Sequence, residues 1–182
     1  MDTQSYEQIL YERRGPIVLI TLNRPEKLNA WSAMMESEFL RAIQAAGDDS
    51  EVRAIVVTGA GRAFCAGGDI SGWSQDIENR GRGAPAPSPL TSREGSPEVP
   101  VTLSRAKPVV AAINGPAIGI GLTMPMACDI RIASDKAQFS ARFVKVGLTP
   151  ECGSTRYLSL VAGIGNALFM ALTGRIIDAQ EA

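Results

Sequence analysis

Between Lys107 and Asp129 the chain carries no charged residue, and that run restricts what the rest can become. Residues 108–128 are long enough to cross a bilayer as one helix. Pro108, Pro116, Pro125, Gly115, Gly119, Gly121 and Asn114 interrupt the run, and in lipid each break would leave backbone polar groups unsatisfied. The better reading is a buried strand at Val109–Ile113, a turn at Asn114-Gly115-Pro116 and a core helix over Gly119–Ala127.

The flanking sequence supplies matching parts. Ile17–Leu22 follows Gly15-Pro16 and the strand-like Tyr6–Arg13, which predicts a hairpin entering a sheet. Trp31–Ala46 places Met34, Met35, Phe39, Ala42 and Ile43 at helical spacing, with Gly47 past the end. Val52–Thr58 reads as a buried strand, Ile130–Ala133 as a further strand, and Ile164–Leu172 as a helix stopped by Gly174. Thr149-Pro150-Glu151 has the pattern of a helix start, Thr as cap and Pro at the first position. Asp178–Ala182 looks like the opening of another helix. Residues 80–100, rich in Pro, Gly and Ser, lack apolar residues to bury; a spacer or a lid both fit. Strands alternate with helices, which is the α/β class.

Composition narrows the chemistry. With 18 Lys+Arg against 19 Asp+Glu, the net charge is -1, without the basic footprint of a nucleic-acid binder. The absence of His excludes Ser-His-Asp, Cys-His and His-metal mechanisms within these 182 residues. Cys65, Cys128 and Cys152 are odd in number and far apart, fitting neither a disulfide framework nor a metal site. The polar start MDTQSYEQ shows no signal peptide, so a reducing cytoplasm is expected.

Two stretches join a buried strand to a glycine-rich turn and a helix start: Val56–Ile70 and Ala112–Gly121. The first N–H groups of a helix lack intrahelical partners, and small residues admit a ligand to them. Two such groups converging on one carbonyl oxygen would form an oxyanion hole. Close helix–strand packing explains the same glycines equally well. A dinucleotide fingerprint fails at Phe64, and there is no phosphate-binding GxxxxGK[ST] loop.

Four ordered motifs then carry a resemblance: NRPEKLNA at 23–30, GRAFCAGGDI at 61–70, KPVVAAINGPAIG at 107–119 and CDIRIA at 128–133. Together they resemble the enoyl-CoA hydratase/isomerase (crotonase) family, over most of the chain outside residues 71–106. The resemblance implies a crotonase-like spiral of ββα units forming one core domain over 1–182, with 71–106 a variable loop region. It implies an acyl-coenzyme A thioester whose oxygen is held by the backbone N–H groups of Gly68 and Ile120. Glu26, Lys27, Leu28, Ala30, Ala66, Gly67, Asp69 and Ile70 are then expected to line the coenzyme pocket. Asp69 and Asp129 read better as cap or turn residues than as catalysts. No separate cofactor and no metal are expected, coenzyme A being part of the substrate.

The sequence departs from the hydratase pattern where that family places two glutamates. Those positions are Thr123 and Phe143, both expected among the substrate- and coenzyme-binding residues, and neither moves a proton usefully. One acid remains: Gly147–Ser154 resembles the segment in family isomerases whose Glu shifts a proton between C2 and C4, which places that role on Glu151. A Glu in a first helical turn is also common simply because it complements the dipole. The expectation is an enoyl-CoA isomerase with one carboxylate base. The alternatives are a silent acyl-CoA-binding protein, a divergent hydratase or a thioester hydrolase. Without His to activate them, Cys65 and Cys152 read as packing residues. Trp31, Trp73, Met34, Met35, Met124 and Met126 read as core or acyl-pocket lining, and Arg142 is undecided between site and solvent. The resemblance further implies C-terminal helices that are missing here, a homotrimer or hexamer where they are present, and exposed apolar surface near Ile176-Ile177. No nucleic-acid or membrane partner is expected.

Overall fold

The computed structural model describes residues 5–71 and 98–182. Trp73 and most of the 71–106 loop region lie outside the described residues. Strands β1 (Ile9–Arg14) and β2 (Ile17–Leu22) form the expected antiparallel hairpin. Helix α1 (Ala33–Asp48) returns the chain to β3 (Ala54–Gly59), which lies parallel to β2. After α2 (Glu98–Arg105), β4 (Val109–Ile113) pairs in parallel with β3, and β6 (Ile130–Ala133) with β4. The sheet order is β1-β2-β3-β4-β6.

Alternation sets its faces. Val18, Ile20 and Leu22, Ile55 and Val57, and Val109, Ala111 and Ile113 are buried at every second position, as the period of a pleated strand requires. Met35, Phe39, Ala42, Ile43 and Ala46 make the buried face of α1, which packs on β1 and β2. Each large side chain so buried contributes about 1.5–3 kcal/mol. β6 is the edge, and its Ile130 and Ile132 are exposed.

A second layer builds the repeat. After β2 the chain reaches Trp31; after β3, Cys65 and Gly68; after β4, β5 (Ala117–Ile118); after β6, β7 (Gln138–Ser140). Each of these segments pairs in parallel with the next: Trp31 with Gly68, Cys65 with Ala117, β5 with β7. The chain therefore winds as stacked turns, one strand in each layer per turn, and the expected ββα units appear as β4–β5–α3, with α3 spanning Ile120–Met126. Both glycine-rich segments fall at the same place in successive turns.

The C-terminal part departs from expectation at one helix start. Helix α4 (Ser154–Ala162) opens at Ser154, not at Pro150, with Gly153 as its cap. Cys152 and Gly153 both take left-handed backbone, φ 52° and 69°, so no helical path runs through Glu151. Thr149 is not a cap, and the dipole argument for Glu151 falls. Helix α1 likewise begins two residues after Trp31, because Trp31 is taken up in the second layer. Residues 98–100, expected in the loop, belong to α2.

Helix α5 (Ile164–Thr173) ends at Gly174 as expected. Ile177 and Asp178 form β8 against β7. There the Asp178 carboxylate accepts from the Glu181 N–H at 2.8 Å and its carbonyl from the Ala182 N–H at 3.1 Å, the bonds of a first helical turn. Exposed apolar surface includes Ile176 and extends along Leu160, Ile164, Leu168 and Leu172. Among the described residues no helix is long and apolar enough to cross a membrane.

Candidate active site

Packing of successive turns brings the two glycine-rich segments together. Cys65 N–H donates to the Pro116 carbonyl at 3.1 Å, and Ile118 N–H to the Cys65 carbonyl at 2.9 Å. A Cβ placed on Gly119 would lie 3.7 Å from the Gly67 Cα and 3.9 Å from Phe143 Cε1. Gly68 and Ile120, each the next residue, thus flank a single spot.

Their N–H groups are uncommitted. Trp31 N–H donates to the Gly67 carbonyl and Asp69 N–H to the Trp31 carbonyl, both at 2.8 Å. In extended backbone, successive N–H groups alternate sides, so Gly68 turns its N–H away from Trp31. Ile120 is the first residue of α3, where no intrahelical acceptor exists, and Gly119 enters it at φ 56°. Among the described residues, neither N–H donates to a backbone or side-chain acceptor.

The loop before α1 is held against the first turn by three side chains. Asn29 is fully buried at φ 56°; its amide donates to the Ala60 and Ala63 carbonyls at 2.9 and 2.8 Å and accepts from Arg24 N–H at 2.9 Å. Asn114 reaches across from the second segment, accepting from Gly59 N–H at 3.1 Å and donating to the Gly61 carbonyl at 3.0 Å. Arg24 bonds the Ala30 carbonyl at 2.6 Å and Asp69 at 2.8 Å. Asp69 also accepts from the Ser71 hydroxyl and N–H. The Ser71 hydroxyl and the Arg24 guanidinium hold its carboxyl well below the usual carboxylate range.

Of the residues expected at the coenzyme pocket, Gly67 is buried, Ala66 half-buried with its N–H on the Leu28 carbonyl, and Ala30 half-buried. Glu26 and Ile70 are exposed, and Lys27 reaches Asp69 at 3.6 Å. Asp129 caps the sheet, accepting from Val109 N–H at 2.8 Å. Arg142 is exposed.

Glu151 is half-buried and next in the chain to the buried Cys152. It lies close enough to Cys65 and Cys152 that its charge raises both thiols. Burial is the larger cause, and it pushes Cys65 and Cys128 up to about 12, which leaves them protonated packing residues. Thr123 is fully buried; its hydroxyl lies beside the Cys152 thiol but outside hydrogen-bonding geometry, and it bonds no other group among the described residues. Phe143 is buried against the Gly119 turn. Thus the two positions that carry glutamates in the hydratase pattern are a hydroxyl and a ring.

The sequence does not single out Arg24, Asn114 or Glu36 as parts of the site; it offers Trp31 only as core or acyl-pocket lining, and Asn29 only as part of the loop at the coenzyme pocket. Asn29 and Arg24 stand in the first motif and Asn114 in the third, but nothing local reveals which distant carbonyl each one reaches.

The sequence model for enoyl-CoA hydratase/isomerase matches residues 12–182. The chain belongs to the enoyl-CoA hydratase/isomerase family. It is 37% identical over 178 residues to the 1,2-epoxyphenylacetyl-CoA isomerase of Escherichia coli, covering 97% of this chain and 66% of that one. It is 38% identical over 177 residues to the short-chain-enoyl-CoA hydratase of Clostridium acetobutylicum, covering 96% and 64%. The crystal structure of an enoyl-CoA hydratase from Mycobacterium smegmatis superposes with a TM-score of 0.75 at 35% identity, covering 96% of this chain and 68% of that one. The fold is the crotonase fold. The chain spans 66% and 64% of the length of the two curated relatives.

Proposed function

We propose that this member of the family shifts the double bond of an enoyl-CoA, with Glu151 as the single base and the Gly68 and Ile120 N–H groups as the oxyanion hole. The observation that carries the reading is the pair of N–H groups on two abutting turns that, among the described residues, meet no acceptor; Glu151, whose charge reaches Cys65 on the first of those turns, and Thr123 and Phe143 in place of a hydratase's acids support it.

The chemistry follows from these parts. Glu151 removes a proton from C2 of a 3-enoyl thioester, and the electron pair moves toward the carbonyl. The negative charge that develops on the thioester oxygen is stabilised by the two N–H groups, whose positions the packing has already fixed. The dienolate then takes a proton from the Glu151 carboxyl at C4, giving the conjugated 2-enoyl thioester and restoring the carboxylate. One carboxylate suffices because the group that accepts a proton from C2 also delivers one to C4, after exchange with solvent where the intermediate lives long enough. Hydration would need a second acid, and neither Thr123 nor Phe143 supplies one. The coenzyme would lie along the Glu26–Ala30 loop and Ala66, and no further cofactor is required.

The test is turnover of trans-3-hexenoyl-CoA, followed by the rise of conjugated thioester absorbance, with Glu151→Gln alongside. The expected result is a rise that Glu151→Gln lowers by at least 100-fold, within the usual contribution of a positioned acid or base. Tight acyl-CoA binding with no rise in either protein would favour the silent binder instead.

A further inference from the structure

Helix α1 carries two buried carboxylates, Glu36 and Glu38, each 4% exposed. Burying a carboxylate is costly unless it is hydrogen-bonded, so each needs a reason. Glu38 has a structural one: it accepts the Glu7 and Gln8 N–H groups, both at 2.8 Å, and ties down the chain entering β1. Glu36 faces elsewhere. Its Oε2 accepts the indole N–H of Trp31 at 3.1 Å, a bond buried from solvent. Its place in the first turn of α1, after the Ser32 cap, lets the helix dipole support its charge.

Trp31 is the residue whose backbone clasps the first turn from both sides, through Gly67 and Asp69. Its indole packs edge-on against Phe39 at 5.4 Å between ring centroids, and it is otherwise enclosed. The ring's rotation is therefore set by packing on one side and by the Glu36 bond on the other. The Trp31 backbone bonds flank Gly68, so a shift of that backbone would redirect the Gly68 N–H.

We propose that Glu36 is a positioning residue for the reaction: by holding the Trp31 indole it fixes the backbone clasp that aims the Gly68 N–H at the thioester oxygen. The proposal rests on the oxyanion-hole reading given above. Glu36 does not touch substrate. The route to the Gly68 N–H runs through the indole hydrogen bond and the two Trp31 backbone bonds, and a misalignment of the order of 1 Å at a catalytic group is enough to cost large factors in rate.

The test reads the thioester carbonyl directly. Hexanoyl-CoA carrying carbon-13 at C1 is bound to the protein, and its carbonyl stretch is recorded by difference infrared spectroscopy beside turnover of trans-3-hexenoyl-CoA. In the unsubstituted protein the two N–H bonds lower the stretch. Glu36→Leu is expected to lose at least half of that downshift and about tenfold in kcat, with KM within about threefold. Glu36→Gln, which keeps an acceptor for the indole, is expected to retain most of both. Trp31→Phe, which keeps a ring but no N–H, is expected to match Glu36→Leu, and adding Glu36→Leu to it should cost nothing more. Glu38→Gln serves as the control in which the downshift stays put whatever happens to the melting temperature. Should Glu36→Leu not fold, Trp31→Phe carries the same comparison. A folded Glu36→Leu or Trp31→Phe protein with unchanged kcat and downshift overturns the proposal and leaves the isomerase reading standing. No downshift in the unsubstituted protein overturns both.

Discussion

The two glycine-rich turns of the proposed site are held by different means. The turn at 59–69 is held by side chains reaching in from elsewhere: Asn29, Asn114, Arg24 through Asp69, and the Trp31 clasp. The turn at 114–121 is shaped by the lack of side chains. A Cβ on Gly121 would fall 2.1 Å from the Cys65 carbonyl oxygen, and one on Gly115 would fall 2.1 Å from that of Arg62. Gly59 opens the first turn almost as tightly, a Cβ there falling 2.4 Å from the Ala63 carbonyl oxygen, so the first turn is wedged at its start and pinned beyond it, while the second is wedged. The difference teaches that an N–H can be aimed either by polar anchors, which admit graded substitution, or by close backbone approach, which does not.

The comparison predicts a ranking. Gly121→Ala meets backbone, which cannot swing aside as a side chain can. It should cost upwards of about 3 kcal/mol and lower the melting temperature by about 10 °C, with turnover lost in the same variant. Thermal unfolding with an acyl-CoA binding assay checks this; a variant as stable as its parent would break the claim that the second turn is wedged. Asn29→Ala removes three hydrogen bonds, one of them fully buried, and leaves Ala at a left-handed φ, for a loss of about 2–3 kcal/mol in thermal unfolding.

Asp69→Asn weakens one anchor of several and should cost about 1 kcal/mol near neutral pH, with a rise in KM if the 24–30 loop loosens. Its pH dependence has a definite sign. The folded-state pKa of Asp69 lies below its ordinary value of 3.8, so its stabilisation is present above that value and fades as pH falls through the folded one. The gap between the melting temperatures of parent and Asp69→Asn should therefore close in acid. A gap that holds constant down to pH 2 would contradict the anchoring ion pair.

The smallest effect concerns Cys65, which lies beneath Gly121. Its pKa is raised from the ordinary 9.0 to about 12, so the buried thiol stabilises the fold below about pH 9, and that contribution falls away as pH rises further. Cys65→Ala should flatten the alkaline loss of stability, and in the folded parent the thiol should resist alkylation at pH 8.

Much of this architecture could be read beforehand. Buried strands at Val109–Ile113 and Ile130–Ala133 and the hairpin at Gly15 follow from local patterns of apolar residues and turn formers, and the structure has them there. Thr149-Pro150 misled because capping rules are local, while the left-handed pair Cys152-Gly153 decides where α4 begins. The anchors were illegible for a related reason. Asn29 and Asn114 meet carbonyls 31 to 53 positions away, and Glu36 sits in an ordinary amphipathic helix where nothing marks it as the partner of Trp31. The four motifs told which turns would matter, and the packing of the spiral told what holds them.

The central claim is that two backbone N–H groups and one carboxylate make and quench a dienolate. It is tested most directly by incubating trans-3-hexenoyl-CoA with the protein in deuterium oxide and locating deuterium by NMR. The account predicts exchange at C2 of recovered substrate and deuterium at C4 of the trans-2 product, both abolished in Glu151→Gln. Exchange that proceeds equally without the Glu151 carboxylate, or its absence from a protein that binds the thioester tightly, would contradict it.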